Sequence, residues 1–149
     1  IQAMTGKDSE TIFQEMNKKS GLLGVSGISN DSRDVANEAH KGNQRAQLAI
    51  KLWARRVADY IGEYFVRLGG CDLIIFSAGI GENAPEYRKY VLDNIHEALK
   101  VNYSDELNNK GVGGFEGLIS TDDSNIKVAV IPTDEEVMIA RDAYRICLK

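Results

Sequence analysis

The stretch Cys71-Asp72-Leu73-Ile74-Ile75-Phe76-Ser77-Ala78-Gly79-Ile80-Gly81-Glu82-Asn83-Ala84-Pro85-Glu86 decides how the rest of the chain is read. Its apolar opening, rich in branched and aromatic residues, predicts a strand buried on both faces. The run then breaks into a glycine-bearing turn. Asn83 is expected to cap a following helix, Pro85 suits the first turn because its missing N–H is no loss there, and Glu86 takes the capping-box position. Glycines let a ligand approach the backbone closely, and a helix start offers unpaired N–H groups and a positive dipole end. Strand, glycine turn and helix start in this order raise an anion or nucleotide site as the first expectation.

Working outward, Glu86 to Leu99 reads as a helix with Tyr90, Val91, Ile95 and Leu99 inward. Val101 to Phe115 is polar and glycine-rich, a short edge element and loop. Leu118-Ile119-Ser120 suggests a small strand, and Asp122 to Asn125 a turn. Lys127 to Ile131 is a second buried strand, stopped by Pro132, and Thr133-Asp134-Glu135-Glu136 opens a last helix with Val137, Ile139, Ala140, Ala143 and Ile146 apolar. Upstream, a long amphipathic helix runs from Gln44 to Leu68 and ends at Gly69-Gly70. Its inward positions are read as Leu48, Ala49, Leu52, Trp53, Val57, Ile61, Tyr64, Phe65 and Leu68. Gly62 within it implies a close helix neighbour. Asn30 to Asp34 opens a short helix toward His40, Gly21 to Ser29 reads as a closely packed loop, and Ser9 to Lys19 as a helix.

Two strong strands, each followed by a helix, imply a parallel α/β arrangement. Two or three strands are few for such a sheet, so strands are expected to be missing, with an exposed edge where they belong. At 149 residues, 43% hydrophobic and 27% charged, the composition is that of an ordinary globular domain. A net charge of -4 argues against nucleic acid as the main partner. No apolar run approaches a membrane span, and no signal peptide is visible, so a cytoplasmic protein with reduced Cys71 and Cys147 is expected. The chain begins Ile1-Gln2-Ala3, without an initiator methionine, which suggests a trimmed or processed piece.

Three clusters carry chemistry. Gly79-Ile80-Gly81-Glu82-Asn83-Ala84 satisfies G-x-G-x-x-A, but the dinucleotide fingerprint also needs a strand soon after it, ending in an acid about 20 residues on. No strand follows at that range, and Asp105 sits in a polar stretch. Asn30-Asp31-Ser32-Arg33-Asp34 reads as a capped helix start in which the acids suit the dipole. Arg33 does not suit it, and a cation there is more comfortable with an anionic partner such as phosphate. Thr133-x-x-Glu136 reads as a capping box, which occupies Glu136 and leaves Glu135 at the carboxyl end of a strand. A carboxylate in that place is suited to Mg²⁺ beside nucleotide phosphates. His40 and His96 have no acid or cysteine at ligand spacing and read as surface residues.

The clusters occur in a familiar order. Phe76-Ser77-Ala78-Gly79-Ile80-Gly81-Glu82-Asn83 resembles the signature near the C-terminal end of acetate kinases and the related propionate kinases. Gly24 to Asp34, Asn43-Gln44-Arg45-Ala46-Gln47-Leu48-Ala49 and Ile131-Pro132-Thr133-Asp134-Glu135-Glu136 resemble the same family, so the likeness covers nearly the whole chain. It implies an α/β fold, part of the ribonuclease-H-like C-terminal lobe of the actin, sugar kinase and heat-shock ATPase superfamily, with few parallel strands flanked by helices. Residues 1–149 would be the C-terminal portion of that nucleotide-binding lobe, with the N-terminal lobe absent.

The resemblance implies that Asp31, Ser32 and Arg33 contact the nucleotide, Asp31 near the ribose and Arg33, as the catalytic arginine, toward the phosphates. Gly79, Ile80, Gly81, Glu82 and Asn83 would form the turn that holds the adenosine, with Ile80 and Asn83 against the base. Glu135 matches the carboxylate associated with Mg²⁺. Ser77 stands where the family usually has threonine, and Asp134 where asparagine is common. The chemistry implied is reversible transfer of the ATP γ-phosphoryl group to a small carboxylate, acetate or propionate, giving an acyl phosphate and ADP. The acyl pocket, a catalytic histidine and a further arginine are expected upstream of Ile1, so this chain alone is expected to lack turnover. The family also implies a homodimer formed through this lobe. Two other readings stay open: a non-catalytic dimerisation domain built on the long helix, and a Rossmann-type dinucleotide module.

Overall fold

The computed structural model describes residues 1–147. Its elements are α1 (Gln2–Thr5), α2 (Ser9–Lys18), α3 (Gly21–Ser26), α4 (Ser32–His40), α5 (Gln44–Leu68), β1 (Leu73–Phe76), α6 (Ala78–Asn83), α7 (Pro85–Leu99), α8 (Asp105–Lys110), β2 (Gly117–Leu118), β3 (Lys127–Val130) and α9 (Glu135–Cys147). The strands form one small mixed sheet in the order β1-β3-β2. β1 runs parallel to β3, with Leu73 opposite Lys127 and Phe76 opposite Val130. The two strong strands thus pair in parallel as expected, and the short β2 adds to β3 antiparallel. An isolated bridge between Tyr103 and Ser120 extends the β2 side.

Helices α5 and α7 pack together over one face of this sheet, and α3 and α4 pack on α5. Ile74, Phe76, Val128 and Val130 meet Ala54, Ala58, Val91, Leu92 and Ile95 there. A second cluster joins Val35, Ala36 and Ala39 of α4 to Ala46, Ala49 and Ile50 of α5 and Tyr87 of α7. Trp53 and Tyr90 border both clusters.

α5 has the bounds read from the sequence, with Asn43 as N-cap accepting from the Arg45 and Ala46 N–H groups and Gly69 left-handed at φ 72 as C-cap. Its buried stripe differs from the one expected. It consists of Ala46, Ala49, Ile50, Ala54 and Ala58, while Leu48, Leu52, Tyr64 and Leu68 are exposed. α5 has helices on several sides, and alanines let those neighbours approach closely, so the larger apolar residues lie outside. Gly62 has no such neighbour: a Cβ there would meet nothing within 4 Å.

Four further expectations change. β1 is not buried on both faces, because Leu73 and Ile75 are 42% and 51% exposed. The strand has β3 on one side, α5 and α7 cover its Ile74 and Phe76 face, and it forms a sheet edge. Gly21 to Ser29 is not a loop but contains α3, whose Leu22 and Val25 are three residues apart and pack on the α4–α5 cluster. Val101 to Phe115 contains α8, whose cap Ser104 accepts from the Leu107 N–H at 3.2 Å. In the last helix Asp134, not Thr133, is the cap: its Oδ1 accepts from the Val137 N–H at 2.9 Å. Helix α9 buries none of its described residues, so Val137, Ile139 and Ile146 face outward. Both cysteines are free thiols, Cys71 half-buried with its pKa pushed up by burial and Cys147 exposed. Among the described residues no helix is long and apolar enough to cross a membrane.

Candidate functional site

The start of α4 is set by Asp31. Its backbone is extended, and its Oδ1 accepts from the Arg33 N–H at 2.8 Å. The same carboxylate also receives the Arg33 guanidinium, Nε to Oδ1 at 3.0 Å and Nη2 to Oδ2 at 2.6 Å. The anionic partner that an arginine at a helix start requires is therefore present within the cluster itself. This side-chain bond, ahead of the backbone one, lowers the Asp31 pKa to about 2. Arg33 still leaves 85% of its side chain exposed. A guanidinium carries five N–H donors in a planar fork, so Nη1 stays available to a second anion.

Opposite α4 lies α6. The residues read as a glycine turn form a helix of 6 residues, and Asn83 ends this helix rather than capping the next one; Ala84 precedes α7 and makes no side-chain cap. Ser77 Oγ donates to the Ile131 carbonyl at 2.9 Å, which locks the exit of β1 to the end of β3. Ala78 then turns the chain through a left-handed conformation at φ 59, costly for a residue with a Cβ. The two glycines have different tasks. Gly81 lies back on the strand end, where a Cβ would come 3.1 Å from the Phe76 carbonyl carbon. Gly79 has open space where its Cβ would be. Asn83 spans α6, with Nδ2 donating to the Gly79 carbonyl and Oδ1 accepting from the Gly113 N–H, each at 3.3 Å.

Between the two elements is a cavity of about 610 Å³. Asn30, Asp31, Ser32 and Arg33 form one wall, and Gly79, Ile80, Asn83 and Ala84 the other. Its volume suits a small organic ligand, with an aliphatic side chain, amides, open backbone and a cation at its border. The fold thus brings together six of the sequence-predicted site residues from two distant segments. Gly81, Glu82 and Glu135 are not among the lining residues. Glu82 instead accepts from Thr133, through the backbone N–H at 2.9 Å and the hydroxyl at 3.0 Å. Glu135 is exposed in the first turn of α9, two residues beyond that link. Among the described residues no group of three or more His, Cys, Asp or Glu side chains is arranged to hold a metal ion.

Two residues that hold the walls, Tyr87 and Arg88, were not found from the sequence. Tyr87 is fully buried, and its hydroxyl donates to the Ser32 carbonyl at 3.2 Å, with its ring edge-on to Trp53 at 5.1 Å and 84°. Burial pushes its pKa up to about 12, so the phenol stays a donor. Arg88, the next residue, reaches Gly81 and Asn108 on the other side. The signal was present: Arg88 falls at helical spacing with Val91, Leu92 and Ile95, and a charge on an apolar face is seldom buried without a task. The dinucleotide pattern, by contrast, lacks its context, since the glycines lie in a helix and the next strand begins only at Gly117.

The model of the Acetokinase family matches residues 1–141. An acetate kinase of Acholeplasma laidlawii is 50% identical over 98% of this chain and 36% of its own length. One from Bacillus subtilis is 48% identical with the same coverage. A crystal structure of Porphyromonas gingivalis acetate kinase superposes with a TM-score of 0.85 at 38% identity, covering 99% of this chain and 36% of that one. A propionate kinase from Francisella tularensis gives 0.83 at 34% identity, covering 95% and 35%. The chain therefore spans about 36% of the length of the curated relatives it matches.

Proposed function

Because this chain belongs to the Acetokinase family, we propose that it supplies the nucleotide side of an enzyme transferring the ATP γ-phosphoryl group to acetate or propionate, with acyl phosphate and ADP as products. The observation that carries the reading is the cavity itself. Two segments separated by the whole of α5 and β1 meet across it, and they are the segments whose residues resemble the family's nucleotide contacts.

In this reading adenosine occupies the side formed by Gly79, Ile80 and Asn83, where the missing Cβ of Gly79 leaves room and Asn83 offers an amide. Asp31 and Ser32 lie against the ribose. Arg33 keeps Asp31 through Nε and Nη2 and turns Nη1 toward the phosphates, neutralising charge that develops during transfer. Gly81 and Glu82 serve as backbone support rather than as contacts. One exposed carboxylate at a strand end fits Mg²⁺, which commonly takes only one or two protein carboxylates and completes its shell with phosphates and water. Glu135 would hold that ion, which supplies charge neutralisation at the transferring group. Two like chains are proposed to pair through the outer face of α5, where Leu48, Leu52, Tyr60 and Tyr64 are exposed. A cytoplasmic location follows from use of ATP and a small metabolic acid.

Trapping of the acyl phosphate with hydroxylamine tests the reaction in the protein that carries this chain. Acetate or propionate with Mg·ATP gives hydroxamate, and Ile80→Asp raises the KM for ATP while leaving that for the acid near its original value. Pairing with full structure but no acyl phosphate formed would instead favour a dimerisation domain.

A further inference from the structure

Arg88 is 1% exposed, yet none of the ion pairs among the described residues includes it. Its three hydrogen bonds all end on uncharged oxygens: Nη1 on the Gly81 carbonyl at 2.7 Å, Nε on Asn108 Oδ1 at 2.8 Å, and Nη2 on the Asn108 carbonyl at 2.6 Å. Burying a charge without a counter-ion is costly, and a side chain needed only to fill space would be apolar. The reason for an arginine lies in α6. In a continuing helix the Gly81 carbonyl would accept from the N–H of residue 85, but residue 85 is Pro85 and has none. Arg88 Nη1 occupies the place of that missing donor. Asn108, itself buried, completes the link by donating from Nδ2 to the Pro85 carbonyl at 2.9 Å. Gly111 is matched to the arrangement, since a Cβ there would lie 3.2 Å from Arg88 Nη2.

We propose that Arg88 is a positioning residue for the cavity: it supplies the hydrogen bond that Pro85 withholds from Gly81 and so fixes α6, with Gly79, Ile80 and Asn83, at a set distance from the start of α4. Tyr87 holds the opposite wall through Ser32, so one step of α7 carries both sides. The importance of this for ligand binding rests on the nucleotide reading above; the hold on α6 does not.

The test follows backbone hydrogen exchange and Mg·ADP affinity in the full-length protein that carries this chain. Arg88→Met is expected to speed exchange about tenfold or more in residues 78–84 while α5 keeps its protection, as for loss of a hydrogen bond to a charged donor, and to weaken Mg·ADP binding by a similar factor. Arg88→Lys, which keeps a charged donor group but not the planar fork, restores part of both. Val91→Ala, a cavity in the same helix, is the control for general destabilisation and leaves residues 78–84 no faster than α5. Asn108→Ala removes the α8 anchor and repeats the selective loosening if Arg88→Met does not fold. Unchanged exchange in residues 78–84, or a rise shared equally with α5, overturns the proposal. Selective loosening in a protein whose wild type binds no Mg·ADP upholds the hold on α6 and overturns the nucleotide reading instead.

Discussion

Glu82, near the end of α6, accepts both the backbone N–H and the hydroxyl of Thr133 on a single carboxylate oxygen, at 2.9 and 3.0 Å. The bond joins residues 51 positions apart and ties the helix bordering the cavity to the link from β3 into α9. It also explains why Thr133 does not cap α9, since its hydroxyl is already committed and Asp134 takes the cap. A residue that the family likeness counts among the nucleotide contacts is thus engaged in holding two segments together.

This bond makes stability depend on acid. The backbone N–H of Thr133, foremost, holds the Glu82 pKa below its ordinary 4.5. A carboxylate with a depressed folded-state pKa contributes stability that is complete above its unfolded value and lost as pH falls through the folded one. Melting temperature is expected to decline as the pH is lowered below 4.5, and Glu82→Gln should show a shallower decline over the same window. Asp31, lowered from 3.8 to about 2 by Arg33, contributes at more acid pH still. Thermal melts from neutral pH to pH 2.5 of the wild type and of Glu82→Gln measure the difference.

The Asp31–Arg33 pair yields a second expectation. Arg33→Ala in the protein carrying this chain should lower turnover by about a hundredfold or more, the scale on which charge-stabilising donors act, with little change in melting temperature because the side chain is exposed. Asp31→Asn removes one carboxylate oxygen from the guanidinium and is expected to weaken nucleotide affinity more than it lowers turnover. Steady-state kinetics separate the two. Turnover that survives Arg33→Ala intact would sink the catalytic reading.

Two glycines offer opposite outcomes for one substitution. Gly62→Ala adds a Cβ into open space in the long helix and should stabilise by about 0.5–1 kcal/mol through helix propensity. Gly81→Ala gains the same propensity but drives its Cβ onto the Phe76 backbone, which cannot swing aside as a side chain would. A net loss of about 1–3 kcal/mol is expected, on the scale of overpacking. Urea unfolding midpoints of the two variants give the sign directly.

The chain as it stands spans 36% of the relatives it matches. A coupled ADP-release assay on it, with acetate or propionate and Mg·ATP, is expected to show no turnover, and calorimetry at most weak nucleotide binding. Turnover above the buffer blank would show that the acyl site lies within these residues.

Much of the architecture is legible in the sequence. The bounds of α5 follow from Asn43 and Gly69, residues whose side chain or backbone freedom satisfies orphan helix groups, and such signals are local. The start of α4 is equally plain in the polar cluster Asn30 to Asp34, within which the structure makes Asp31 the cap. α3 was hidden because its glycines outweigh the three-residue spacing of Leu22 and Val25, which pays only once α5 is there to cover them. The buried stripe of α5 differs from the one the pattern suggests because hydrophobicity ranks leucine above alanine. Close helix neighbours reverse that order.

The sequence by itself determined local features of the two cavity walls: a polar helix start around Asp31 in one segment, and Gly79 and Gly81 directly after a strand in the other. That these walls face each other was decided only by the tertiary structure, and so were the separate tasks of Gly79 and Gly81 and the engagement of Glu82 with Thr133. The physical reason is distance along the chain. Hydrogen bonds such as Tyr87 to Ser32 and Thr133 to Glu82 join residues more than fifty positions apart, and no local pattern records a donor that distant.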